Sequence, residues 1–156
     1  METRVTRYLE SVGVSYVLKP HSKAVYTARD AARERGIRLS QVIKAMLLKD
    51  GEGFLMVLVQ GDREIDWRKL KMRLGTSAAM ATREELENFT GFPLGAVSPL
   101  ALPEPCRVLL DDAITRGRYV DISSGDLLLG VELLSEDLVR LVSGEVGSFS
   151  LPARNP

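Results

Sequence analysis

The chain has 156 residues with 21 basic and 21 acidic side chains, a formal net charge of zero and a hydrophobic fraction of 45%. This length favours one domain with a sizeable core, and the balanced charge argues against strong non-specific nucleic-acid binding, which depends on phosphate neutralisation. One cysteine, Cys106, and one histidine exclude an internal disulfide framework and leave no zinc cluster. Because no apolar run reaches membrane-spanning length and the N-terminal stretch lacks a signal-peptide core, we expect a cytoplasmic protein with no membrane partner.

Hydrophobic periodicity and capping residues predict the elements of the first half of the chain. An N-terminal helix is closed by Gly13, and Thr27 is a suitable N-cap for a second helix that Gly36 ends. In chain order, we predict a helix over 5–12, a strand over 15–19, a helix over 28–35, and strands over 41–49 and 54–60. The turn Asp50-Gly51-Glu52-Gly53 joins the last two strands into a β-hairpin.

The second half combines further helices with single strands. Asp66 caps a helix in which Leu70 and Leu74 share a face with Trp67, and Thr82-Arg83-Glu84-Glu85 has the form of a capping box. Strands are predicted over 108–110, 119–122 and 131–134, followed by a helix with Ser135 as N-cap and by a polar, loosely held tail over 148–156. Because strands and helices alternate without regular βαβ spacing, we predict an α+β fold: one domain with a mixed, curved sheet flanked by helices.

A loop rich in glycine and proline, Gly91-Phe92-Pro93-Leu94-Gly95-Ala96-Val97-Ser98-Pro99, lies between a predicted helix and a predicted strand. Proline fixes φ and lacks an N–H group, whereas glycine reaches conformations that other residues avoid. A simple turn is the commoner structure for such a segment. A rigid backbone cradle for a ligand is the alternative.

Lys44 is the residue that fits its surroundings least. Alternation along the strand puts Lys44 on one face with Val42, Met46 and Leu48. Composition alone favours a lysine whose stem covers the core while its ammonium group reaches water. The alternative is a cation that faces a cleft and meets an anionic or carbonyl group.

Other candidates are weaker. His21 lies at a strand end without a visible triad, Cys106 suits a partly buried thiol, and Asp111-Asp112 lacks further carboxylates for a metal. Ser123-Ser124-Gly125-Asp126 is first of all a turn. The best candidates for phosphate contact are the basic side chains of the helix after Asp66, although such a face is usually only solvated. They are Arg68, Lys69, Lys71 and Arg73.

Several motifs occur in an order that is more specific than any one of them. In chain order they are Tyr26-Thr27-Ala28 with Gly36, Gln41-Val42-Ile43-Lys44, the strand 54–60, Asp66 with Leu70 and Leu74-Gly75, Thr90-Gly91, Gly95-Ala96-Val97-Ser98-Pro99, and Ser123-Ser124-Gly125. In this order the chain resembles the YbaK/prolyl-tRNA editing-domain family over most of its length, so that 1–156 is expected to be a single domain of this kind.

The resemblance implies an aminoacyl-tRNA deacylase, a carboxylic ester hydrolase that removes a wrong amino acid from the 3′-terminal adenosine of tRNA. It implies catalytic roles for Lys44 and Ser123, with no metal and no cofactor. It also implies a set of substrate-binding residues, which are Thr27, Gly95, Ala96, Val97, Ser98, Pro99 and Gly125. The expected partner is mischarged tRNA, with delivery by a synthetase left open, and the expected state is a monomer or a weak dimer.

One departure from the family's pattern bears on specificity. After the serine–glycine turn, family members carry an aspartate or a histidine near the start of the closing strand, whereas this chain has Leu129-Gly130-Val131. Since no protein nucleophile stands out, we expect water to attack the ester, with Lys44 and the loop 95–99 forming the pocket. Because of this departure, a second hypothesis stays open: a non-catalytic module of the same fold that binds tRNA or a synthetase. A third hypothesis, an unrelated protein that binds a small molecule, ranks last.

Overall fold

The computed structural model describes residues 1–51 and 53–154. Its α-helices are α1 Arg4–Val12, α2 Ala28–Arg35, α3 Trp67–Leu74, α4 Arg83–Thr90 and α5 Ser135–Val142. Its strands are β1 Val17–Pro20, β2 Ile43–Asp50, β3 Gly53–Gln60, β4 Arg63–Ile65, β5 Ala79–Met80, β6 Arg107–Asp111, β7 Tyr119–Ser123, β8 Leu129–Leu134, β9 Glu145–Gly147 and β10 Ser150–Pro152. Two short 3₁₀ helices lie at Leu39–Gln41 and Asp112–Arg116.

The strands form a mixed five-stranded sheet, a three-stranded sheet and a two-stranded ladder. The five-stranded sheet has the order β5-β2-β3-β6-β9, with β2 antiparallel to β3 and β5, and β6 parallel to β3 and β9. The three-stranded sheet has the antiparallel order β1-β8-β7, and β10 pairs with β4. A bridge between Val42 and Asp121 links the first two sheets. The predicted α+β fold with a mixed sheet is confirmed.

Both faces of β3 are buried, which explains its nearly continuous apolar sequence. On one face, Met56 and Leu58 join the larger core cluster, where side chains of both main sheets pack with α1 and α5. On the other face, Val57 and its neighbours pack against Leu70 of α3 and Phe149 in the second cluster. The five-stranded sheet is therefore the central layer of the fold.

Three helices begin after the N-caps that the sequence predicts, and two end at the predicted glycines, Gly13 and Gly36. The hydroxyl of Thr27 accepts from the backbone N–H of Asp30 at 3.1 Å, and Thr82 forms a capping box with Glu85. Asp66 accepts from two N–H groups at the start of α3, and α1 ends at Gly13 in the left-handed region. The expected cap of α5 is wrong: Ser135 is its first residue, and its hydroxyl donates to the carbonyls of Gly117 and Arg118.

The expectation of a loose C-terminal tail is wrong for the part that the structure describes. Phe149 is only 2% exposed, and its N–H donates to a carboxylate oxygen of Asp111 at 2.8 Å. The next residues form β10, which pairs with β4. A three-residue strand with one large side chain carries too little periodicity to be recognised in the sequence.

Some predictions fall on residues outside the description. Glu52 of the predicted hairpin turn and the last two residues of the predicted tail, Asn155 and Pro156, lie outside the described residues. Within the described ranges, none of the helices has the length and apolar character needed to cross a membrane.

Candidate functional site

A cavity of about 570 Å³ opens between the two main sheets and α2. Its walls come from α2 and the residues before it, from β2, from the segment that enters α4, from the loop 94–97 and from the end of β7. This volume lies in the range of small-molecule sites, about 300–1,000 Å³. Segments that are distant in sequence therefore meet around a space that can hold a small ligand.

Five residues singled out in the sequence line this cavity. Thr27 and Lys44 stand on the α2 and β2 walls, Gly95 and Val97 come from the loop, and Ser123 stands at the end of β7. The structure thus brings together residues from four separate segments of the chain.

The other predicted site residues lie off the cavity wall. Ala96 and Ser98 are buried, and the Ser98 hydroxyl accepts from the N–H of Leu100 at 3.2 Å. Pro99 is also absent from the wall, while Gly125 lines a separate depression beside Phe92. A Cβ at Gly125 would lie 2.8 Å from the Phe92 ring, so packing in this turn explains the glycine.

The loop 91–99 is anchored by specific hydrogen bonds. The N–H of Leu94 donates to a carboxylate oxygen of Glu87 at 3.0 Å, and this bond, aided by Arg83, lowers the pKa of Glu87. The N–H of Ala96 donates to the carbonyl of Pro93 at 3.0 Å. Gly95 has φ 92°, and a Cβ there would lie 3.1 Å from the Tyr26 ring. The left-handed backbone and this close contact both require glycine.

Lys44 is a residue of the cavity wall, and its ammonium group is held at the edge of β4. Nζ donates to the carbonyl oxygen of Arg63. Burial lowers the pKa of Lys44, and the nearby carboxylates of Glu64 and Asp62 act in the opposite direction. The side chain is half-buried. Its ammonium group is therefore neither fully hydrated nor an unpaired charge in the cleft.

A second cation on the wall, Arg35, was not recognised in the sequence. It is the last residue of α2, and its Nη1 donates to Oδ1 of Asp121 in an ion pair whose side chains are 2% and 1% exposed. Its Nε faces Nε2 of His21 at 3.4 Å. Because Nδ1 of His21 lies 2.8 Å from the carbonyl of Lys23, that nitrogen carries the proton and Nε2 is free to accept.

Gly130 makes room for Arg35. A Cβ at this position would lie 2.6 Å from both Cδ and Cζ of the arginine. The space above Gly130 is therefore filled by the side chain of Arg35, at the position where the sequence departs from the pattern described above. The signals for this arrangement were a glycine inside an apolar strand and an arginine at helical spacing from Ala28 and Ala31, which line the same cavity.

Burial makes the carboxyl group of Asp121 a weaker acid than usual. Desolvation raises its pKa to about 6, against the opposing effect of Arg35. Its Oδ2 is buried and has no hydrogen-bond partner among the described residues. The pair is therefore held by one oxygen of the carboxylate.

Most of the remaining candidate residues are held by contacts with other groups of the protein. Asp111 accepts hydrogen bonds from the N–H groups of Ala113 and Phe149, and burial raises the pKa of the Cys106 thiol. Of the basic residues of α3, Lys69 donates to Ser148, and Arg73 lies 3.5 Å from a carboxylate oxygen of Glu145. In the part of the chain that the structure describes, no group of three or more His, Cys, Asp or Glu could hold a metal ion.

Comparison with known proteins gives one family match. The model of the aminoacyl-tRNA editing domain matches residues 22–141. The proline–tRNA ligase of Trichlorobacter lovleyi is 39% identical over 104 residues, which cover 65% of this chain and 18% of that enzyme. The uncharacterized protein YwhH of Bacillus subtilis is 28% identical over 113 residues, which cover 72% of each chain. The chain thus spans less than a fifth of the ligase.

Solved structures show the same fold over nearly the whole chain. A protein described as a candidate trans-editing enzyme for prolyl tRNA synthetase superimposes with a TM-score of 0.86 and 25% identity, covering 95% of each chain. The hypothetical protein APE2540 superimposes with a TM-score of 0.88 and 24% identity, covering 95% of this chain and 99% of its own.

Proposed function

The chain belongs to the aminoacyl-tRNA editing domain family, and on that premise we propose that it hydrolyses the ester of mischarged aminoacyl-tRNA as a separate protein acting in trans. The domain proposed to do this spans 1–156. The structural likeness to a candidate trans-editing enzyme along 95% of both chains supports action outside a synthetase. We expect it to work in the cytoplasm as a monomer or weak dimer.

The observation that carries the proposal is the cavity of about 570 Å³ lined by Thr27, Lys44, Gly95, Val97 and Ser123. Its volume suits a ligand the size of an aminoacylated adenosine. Backbone and hydroxyl groups lie on an otherwise mostly apolar wall, and the ammonium group of Lys44 lies beside it at the edge of β4. Such a wall excludes bulk water and strengthens the hydrogen bonds made inside it.

In the proposed mechanism, the oxygen of a water molecule bonds to the carbonyl carbon of the ester and forms a tetrahedral intermediate. The bond from that carbon to the ribose oxygen then breaks, and a proton of the water passes to the departing oxygen, which releases the amino acid and the 3′-end of the tRNA. We propose that two backbone N–H groups, those of the wall residues Gly95 and Val97, stabilise the oxyanion. The N–H of Ala96 is already bonded to Pro93 and is not used. Losing one oxyanion donor typically lowers the rate by about 100-fold or more.

Lys44 is proposed to hold the terminal phosphate or the ester carbonyl. Its ammonium group has three N–H donors, of which the carbonyl of Arg63 takes one. The remaining donors are proposed to bind the substrate, and partial burial makes a charged hydrogen bond there stronger than in water.

Ser123 is proposed to position the attacking water or the amine of the substrate. Its hydroxyl has one donor and two acceptor sites, so it can bind either group. It lies at the end of β7, where the strand pairing holds its backbone directly opposite Gly130.

The body of the tRNA is proposed to contact α3. Among the described residues, Arg68 and Lys71 are exposed and have no ion-pair partner, and the helix contains no acidic residue. Trp67 at its start is 44% exposed. Cations beside an exposed aromatic ring suit phosphate and base contacts.

A deacylation panel tests the proposal. Alanyl, cysteinyl, seryl and threonyl esters on non-cognate tRNAs are incubated with the protein, and ester loss is compared with the spontaneous rate. We expect acceleration for at least one mischarged tRNA. Binding of tRNA without acceleration of any ester would contradict the proposal and support a non-catalytic binding module.

A further inference from the structure

Arg35 occupies a position on the cavity wall that the proposed mechanism does not use. Its stem packs over Gly130, and its guanidinium group lies between Asp121 and His21. Gly130 is paired with Ser123 across the strands, and opposite residues of antiparallel strands share one face of the sheet. Arg35 therefore lies beside Ser123 at the same end of the cavity.

The hydrogen bonds of the guanidinium group leave one nitrogen free. Nη1 donates to Asp121, and Nε donates toward His21 at 3.4 Å. Among the described residues, Nη2 donates to no protein group. A guanidinium group carries five N–H donors and no acceptor, so a ligand that meets Nη2 must supply an acceptor.

The charge of Arg35 is balanced inside the protein by Asp121. An anionic ligand would add a second negative charge to a pair that is already neutral, and at least one of the charges would lose compensation. An uncharged oxygen, such as a hydroxyl, satisfies Nη2 without disturbing that balance. A methyl group at the same place would leave Nη2 without an acceptor and without water.

We propose that Arg35 is a specificity residue: its Nη2 donates to a side-chain hydroxyl of the bound aminoacyl ester, so the site prefers hydroxyl-bearing amino acids to apolar ones of equal size. This inference rests on the proposed function, because it takes the aminoacyl end of tRNA as the ligand. A hydrogen bond to a charged donor makes the expected preference about 10- to 100-fold.

The test compares two esters on the same tRNA, seryl and 2-aminobutyryl, which differ by a hydroxyl in place of a methyl. Values of kcat/KM are measured for the wild type and for Arg35→Met/Asp121→Leu, which replaces the buried pair with apolar side chains. The matched control is Arg107→Met/Glu145→Leu, which removes a surface ion pair with a 2.7 Å contact that is not on the cavity wall. Thermal melting checks that each variant is folded.

We expect the wild type and the matched control to favour the seryl ester by about 10-fold or more, and the ratio to fall toward one in the Arg35 variant. Gly130→Ala is the second variant, since its Cβ displaces Arg35 while keeping both members of the pair. Gly130→Ala should also lower the ratio of seryl to 2-aminobutyryl kcat/KM. It replaces the double variant as the test if that variant does not fold. A wild-type ratio near one, or a ratio that neither variant lowers, would overturn the inference.

A binding measurement separates this inference from the proposed function. Dissociation constants are determined for two non-hydrolysable amide analogues of 3′-aminoacyl adenosine, carrying serine or 2-aminobutyrate. If no ester is hydrolysed, the proposed function fails, and the binding ratio alone decides the role of Arg35. Tighter binding of the seryl analogue, lost in the Arg35 variant, supports the inference, and equal binding of both analogues overturns it.

Discussion

The cavity has two cations on its wall, and their surroundings differ. Lys44 is half-buried, its partner is a backbone carbonyl, and burial lowers its pKa. Arg35 is buried in an ion pair with Asp121, a residue 86 positions away in the chain. A backbone carbonyl carries no formal charge and stays satisfied by water when its donor is removed, whereas a buried carboxylate does not. We therefore expect the fold to tolerate the loss of Lys44, whereas the loss of Arg35 alone should destabilise it.

The largest effect is expected from breaking the buried pair. Arg35→Met leaves Asp121 buried without its cation, which should lower the free energy of unfolding by about 3–5 kcal/mol. Urea denaturation measures the change. The paired variant Arg35→Met/Asp121→Leu should recover most of the loss, because no charge is then left in the interior. A loss below about 1 kcal/mol in the single variant would contradict the description of the pair as buried and coupled.

The packing of Arg35 on the strand gives a smaller effect. Gly130→Ala places a Cβ 2.6 Å from Cδ and Cζ of Arg35, so the side chain must shift. Overpacking of this kind typically lowers the free energy of unfolding by about 1–3 kcal/mol. Gly117→Ala is the matched control, since a Cβ there would meet only the Tyr119 carbonyl, at 3.9 Å. Equal stability of the two variants would show that Arg35 does not lie against Gly130.

The pH dependence of stability reports on Asp121. Its folded pKa of about 6 is above the ordinary value of 3.8, so the folded state binds more protons between these values. The stability contributed by this group therefore rises as pH falls from 7 to 5. Arg35 and Lys19 oppose the shift, Glu132 adds to it, and His21 lies against Arg35.

Relative to Asp121→Asn, the wild type should gain about 1 kcal/mol of unfolding free energy between pH 7 and pH 5. Denaturation curves of both proteins at the two pH values give this difference. The comparison with Asn removes the contributions of the other carboxylates, which titrate in both proteins. A difference that stays constant, or that falls as pH falls, would show that Asp121 does not have a raised pKa.

The smallest effect on stability is expected at Lys44. Lys44→Met removes one hydrogen bond to the Arg63 carbonyl and also removes a partly desolvated charge, so the two changes offset one another. We expect the free energy of unfolding to change by about 0–1 kcal/mol. Circular dichroism during urea titration measures this change. A loss above about 2 kcal/mol would contradict the expectation and show that Lys44, like Arg35, is needed for the stability of the fold.

The two cations also show which parts of a site can be predicted from sequence. Lys44 stood out because its neighbours are apolar at a period of two, a local pattern. Arg35 lies in a polar helix, and only the fold brings it to Asp121 and Gly130. Its burial depends on contacts between distant residues, which local periodicity cannot express. Gly130 can be noticed in the sequence as a glycine in an apolar strand, but the packing of Arg35 over it cannot be predicted there.

The same distinction holds for the fold. Helices with clear caps, such as those after Thr27 and Thr82, begin at the predicted residues because capping is local. The short strands β4, β5 and β9 and the ordered tail around Phe149 cannot be predicted from the sequence, since segments of two or three residues show no periodicity. Ser135 fits a cap by composition, but its hydroxyl bonds to the distant carbonyls of Gly117 and Arg118.

The central claim, that the cavity is a deacylation site, is tested most directly by kcat/KM of Lys44→Ala on the mischarged tRNA that the wild type hydrolyses fastest. Loss of a charged hydrogen bond to substrate predicts a fall of about 10- to 100-fold, with an unfolding free energy close to that of the wild type. A variant that keeps the full wild-type kcat/KM would contradict the claim.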